Sequence, residues 1–141
     1  MKKLLFLILS LIIIRCAALG PPPGGPKDET APTLVSVAPE SGTTGIKGGI
    51  IVQLTFSERL SEETNFSAIR LSPIIGKPLD FTLNKEIISV GFPEKLDQDQ
   101  TYILTLSRDL KDERENRLDK TYQIALTTGE EIANGRISGI V

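Results

Sequence analysis

At 141 residues, 40% of them apolar, the chain has enough for one core of ordinary domain size together with a leader, and a second full core does not fit. It holds no histidine and a single cysteine, which excludes a Ser-His-Asp triad, a Cys-His pair, a His-ligated zinc and a disulfide within the chain. The formal net charge is −2; without Lys2, Lys3 and Arg15, 13 basic residues stand against 18 acidic ones, a net −5 that suits nucleic acid poorly.

Lys2 and Lys3 precede an apolar run over residues 4–14, the charged start and short apolar core of an export signal. A membrane-spanning helix needs about 20 apolar residues, well beyond this run. Cys16 follows at once, and the arrangement resembles a bacterial lipoprotein signal over residues 1–15. In that family the cysteine thiol accepts diacylglycerol and becomes the first residue of the mature chain, so the resemblance implies covalent lipid at Cys16, no other cofactor, and a membrane as partner. Ile13 and Ile14 suit such a signal, whereas Arg15 stands where the family has a small residue. A free thiol in an uncleaved anchor and ordinary cleavage near Ala17 and Ala18 are the alternatives. Ala17 to Gly20 carry no acidic sorting signal, so location in the cell envelope, at the outer membrane, leaves the side of exposure open.

Residues 19–32 read LGPPPGGPKDETAP, in which prolines fix φ and remove amide donors while glycines resist regular structure. Residues 16–30 are therefore expected to be an exposed tether, with Pro21 to Pro23 extended at about 3.1 Å per residue. A ligand for a proline-binding domain is the lesser reading.

From Thr33 onward short alternating runs are broken by Gly, Pro, Asn and Asp, and no window sustains a helical period. Residues 50–56 are the clearest strand, with Ile50, Val52, Leu54 and Phe56 on one face. Residues 57–66, SERLSEETNF, have the composition of a single helical turn capped by Ser57 or Ser61. Leu79, Phe81 and Leu83 point inward in the next clear strand, and Asn84 and Lys85 turn the chain into a partner presenting Ile88, Val90 and Phe92. Tyr102, Leu104 and Leu106 make another strand, and Tyr122, Ile124 and Leu126 one more. With the weaker residues 33–37 and 67–71 the count is about seven, which predicts an all-β, immunoglobulin-like antiparallel sandwich over residues 31–129. Leu96, the polar corner DQDQ and Tyr102 fit the position where such sandwiches bond a tyrosine hydroxyl back to the corner; stacking of Tyr102 on a ligand is the functional alternative.

The span resembles the SbsA-type bacterial Ig-like domain, through APTLVSVAPESGTTGI, VQLTFSE, LDQDQTYILTLS, LKDERENRL and ALTTG in that order. The resemblance implies a strand ending at Pro39, a turn marked by Gly42 and Gly45, a strand end at Phe56, Ser57 and Glu58, a turn at Asp112, Asn116 and Leu118, and an exit at Thr127, Thr128 and Gly129. Glu115 departs from the glycine that many relatives place before the asparagine. The leader and GGPKDETAP also resemble lipoproteins in which the domain follows the tether, and residues 130–141, ending RISGIV, look like the opening of a following segment that stops as a truncated product would.

The oxygen-rich set Asp109, Asp112, Glu113, Glu115, Asn116 and Asp119 could in principle gather calcium, with Asp109, Asp112, Glu115 and Asn116 as ligands. Its spacing matches no EF-hand, and Lys111, Arg114, Arg117 and Lys120 balance it locally, so a solvated turn is the expectation. Glu62 with Glu63, Asp97 with Asp99, and Glu130 with Glu131 are loop neighbours that seldom face each other across a substrate. GTTGIKGG over residues 42–49 lacks the phosphate-loop spacing. The chain is thus expected to be a non-catalytic envelope module that binds or spaces a protein or glycan; the competing readings are the front end of a larger enzyme or transport assembly and a calcium-stabilised surface module.

Overall fold

Strands form where the sequence alternates. The computed structural model describes residues 25–133. It contains β1 (Leu34–Ala38), β2 (Ile51–Phe56), β3 (Ile69–Ser72), β4 (Asp80–Asn84), β5 (Ile87–Gly91), β6 (Thr101–Leu106) and β7 (Tyr122–Thr127). Two antiparallel sheets result, in the orders β1-β2-β5-β4 and β3-β6-β7, the strand arrangement of a seven-stranded immunoglobulin-like sandwich.

Register explains the core. Val52 lies opposite Val90 and Leu54 opposite Ile88 in one sheet, while Tyr102 lies opposite Leu126 and Leu104 opposite Ile124 in the other; all eight are buried. Each such side chain contributes about 1.5–3 kcal/mol when fully buried, and a slip of one residue would turn the whole set outward. Leu60, Leu110 and Leu118 are buried too, and the ring of Phe92 meets Tyr102 edge-on at 6.4 Å. In β1 the register shifts between Leu34 and Ser36, and the intervening Val35 is exposed.

Two local expectations shift. The β4–β5 turn is Lys85 and Glu86, not Asn84 and Lys85, because Asn84 still pairs with Ile87 and Lys85 takes the positive φ of 57°. The single helical turn is a 3-10 turn at Phe66–Ala68, capped by Asn65 rather than by Ser57 or Ser61. The Asn65 side chain accepts the Ser67 N–H at 2.9 Å, whereas Ser61 is used by its own bend, accepting from the Glu63 and Thr64 amides.

After Ala38 the chain leaves the first sheet and lies along the free edge of β7. Gly42 N–H donates to Ala125 O, Thr127 N–H to Thr43 O, Gly45 N–H to Gly129 O and Ile46 N–H to Thr127 O. Gly42 and Gly45 hold φ of 96° and 63°, the left-handed region that favours glycine. Gly48 then packs against the neighbouring loop so closely that a Cβ would lie 1.9 Å from Glu94 O. The GTTGIKGG segment is therefore an edge cover followed by a close backbone contact.

The chain arrives at one pole, where Asp119 N–H donates to Pro32 O and Ser57 N–H to Thr33 O. It departs at the other, where Ala133 N–H donates to Thr101 Oγ1. Cys16, the rest of the leader and the tether to residue 24, and residues 134–141 with RISGIV lie outside the described residues.

Candidate functional site

The oxygen-rich segment between β6 and β7 is built around one buried carboxylate. Asp112 is 1% exposed, and its backbone bridges to Leu60 across the top of the sandwich. Its Oδ1 accepts the backbone N–H groups of Arg114 at 2.7 Å and Asn116 at 2.8 Å, and its Oδ2 accepts Asn116 Nδ2 at 2.8 Å. Glu115 completes the turn at φ 70°, so a glutamate adopts the left-handed conformation for which glycine is the usual residue. The expectation of a solvated turn is corrected at its centre: Asp112, Leu110 and Leu118 are buried, and only the flanking charges are exposed.

Of the four side chains that calcium could use, the structure brings two together. Asp112 and Asn116 meet, but as acceptor and donor of one hydrogen bond. Asp109 turns to Arg117, 2.9 Å away, and Glu115 pairs with Lys111. Glu113 faces Arg59 at 3.6 Å and Asp119 Oδ1 accepts the Tyr122 hydroxyl at 2.7 Å. Among the described residues no three Asp, Glu, Cys or His side chains converge as a metal site.

Glu58, which the sequence marks only as a strand end, belongs to this pole. Partial burial, and then the negative charges of Asp112 and Asp28, push its carboxyl above the ordinary range. Asp28 is itself held low, chiefly by the Thr30 backbone N–H. Asn116 Nδ2 also reaches Asp28 O at 3.3 Å, so the end of the tether touches the same turn. Tyr122 was legible only as an inward-facing strand residue. Its hydroxyl accepts the Leu34 N–H at 3.2 Å and donates to Asp119, tying β1 to the start of β7; burial is the main reason its pKa is raised.

At the opposite pole Tyr102 is wholly buried and its hydroxyl accepts the Asp97 N–H at 2.9 Å, beside half-buried Leu96 packed on the core. The exit strand closes this corner: Thr128 Oγ1 donates to Asp97 O at 2.7 Å and Gln100 N–H donates back to Thr128 Oγ1 at 3.0 Å.

A family model described as a bacterial Ig-like domain matches residues 28–128, nearly all of the sandwich and the last residues before it. The chain belongs to that family. No curated protein matches the sequence.

An apolar surface of this Ig-like domain is lateral. On the flank formed by the outer edges of β3 and β4, the loop over residues 73–79 frames an apolar groove of about 610 Å³. Leu71, Ile75, Leu79 and Phe81 line it, and Ile74 stands 94% exposed at its rim. Phe66 stacks on Phe81 at 4.9 Å. The paired carboxylates at Glu62 and Glu63, Asp97 and Asp99, and Glu130 and Glu131 are all exposed and lie in loops outside the strands.

Proposed function

We propose that this bacterial Ig-like domain is a non-catalytic module of the cell envelope, attached to the outer membrane by lipid on Cys16 and acting to bind or space a protein or glycan. The observation that carries the reading is the place of the sole cysteine: it closes the apolar run of residues 4–14 and opens a Pro/Gly tether leading into the domain. Several acyl chains at one cysteine hold a protein at a bilayer almost permanently, since each buried methylene contributes roughly 0.8 kcal/mol. The domain receives this tether at one pole and releases the chain at the other, which suits a spacer, and its lateral groove suits a binder.

Intact mass and membrane partitioning of the full chain beside its Cys16→Ala variant test the anchor. The expected result is a processed, acylated mass for the natural chain and release of the variant from membranes. An unmodified mass, or equal partitioning of the two, overturns lipid attachment.

A further inference from the structure

Among the described residues two sheet edges on one flank lack cover. The β7 edge is occupied by residues 42–46, but β3 pairs only with β6 and β4 only with β5 among the described residues. An open edge presents unpaired N–H and C=O groups, and an extended polypeptide is the ligand that satisfies them in register. The groove beside β3 supplies the apolar half of such a site. Its rim supplies charge of one sign: Arg70 and Lys77 line it, no carboxylate does, and neither cation makes an ion pair among the described residues. Arg70 Nε leans on Ser67 O at 3.4 Å, which leaves its terminal nitrogens for an incoming anion. The nearby Asp80 alternates with groove-lining Phe81 and packs over Gly91, on the other face of its sheet.

We propose that this flank takes an extended segment of a partner protein, alternating apolar and acidic residues, which adds to β3 as a further strand; the proposal rests on the domain being a binder and not only a spacer. Backbone pairing sets the register, the groove takes the apolar side chains, and Arg70 and Lys77 take the carboxylates. A second copy of this chain fits less well, because a two-fold axis perpendicular to β3 would pair the strand with itself and bring Arg70 close to Arg70. A lipid surface would cover Ile74 but offers nothing to pair with the strand edge.

The test uses the full chain in detergent on an array of seven-residue peptides whose alternate positions carry Val, Ile, Leu or Phe and whose remaining positions are all Glu or all Lys. The acidic series should bind at least tenfold more tightly than the basic series. Ile74→Asp should abolish binding at an unchanged melting temperature, and the double variant Arg70→Glu, Lys77→Glu should reverse the preference. Equal binding of both series, no binding, or retention in Ile74→Asp overturns the proposal, as does binding to anionic vesicles that Ile74→Asp removes. Cys16→Ala should leave the array unchanged, so failure here and failure of lipid attachment are read separately.

Discussion

Asp112→Ala is the most informative single change at the tether pole. The buried carboxylate accepts three N–H groups, from the backbone of Arg114 and Asn116 and from Asn116 Nδ2. Hydrogen bonds to a charged acceptor are each worth about 1.5–3 kcal/mol net, and the three share one carboxylate, so their sum overstates the loss. Removing the charge also relieves Glu58, whose carboxyl is raised partly by Asp112. A net destabilisation of about 2–3 kcal/mol follows. Asp112→Asn keeps one oxygen for the two backbone amides but turns a donor toward Asn116 Nδ2, and should cost about half as much. Urea unfolding of the full chain reads both: with a slope of about 1.5 kcal/mol per molar, the alanine midpoint should fall by about 1.3–2 M. The loss should be the same with and without millimolar calcium. A loss below about 1 kcal/mol, or one seen only in calcium, would refute the hydrogen-bonded turn as the role of Asp112.

Tyr102→Phe keeps the buried ring and its contact with Phe92 but leaves the Asp97 N–H without its acceptor, so thermal melting should fall by about 5 °C, the shift for about 1 kcal/mol in a domain of this size. Glu58→Gln should stabilise the domain at neutral pH. A carboxyl raised in the fold binds its proton more tightly folded than unfolded, so ionising it costs stability above the raised pKa, and that cost disappears below the ordinary carboxylate range. Unfolding titrations should therefore show the variant's advantage shrink as pH falls through that window; a constant advantage would disprove it.

The alternation in β2, β5, β6 and β7 was enough to place most of the core, because one face of each strand is buried and a period of two leaves a plain trace. The signal failed where structure depends on side chain to backbone bonds. The buried turn at Asp112 is surrounded by Lys111, Arg114, Arg117 and Lys120, and such interleaving reads as solvent exposure; only the spacing of an aspartate ahead of amides two and four residues on hints otherwise. Asn65, not an upstream serine, caps the helical turn at Phe66–Ala68 for the same kind of reason. Residues 41–46 have no alternation, since their pairing with β7 uses left-handed glycines. The lateral groove depends on β3 and β4 standing at the ends of different sheets, which no local pattern encodes.

The path of residues 42–46 along β7 has a mechanical meaning. Contacts advance in the same direction on both segments, Gly42 with Ala125, Thr43 with Thr127 and Gly45 with Gly129, so the two run parallel. A pull on the tether at one pole and on the exit at the other would slide these segments past each other lengthwise. The hydrogen bonds from Gly42, Thr127, Gly45 and Ile46 would then bear the load together, not one after another as in an opening zip. A domain threaded in this way resists extension along the line that joins its two poles.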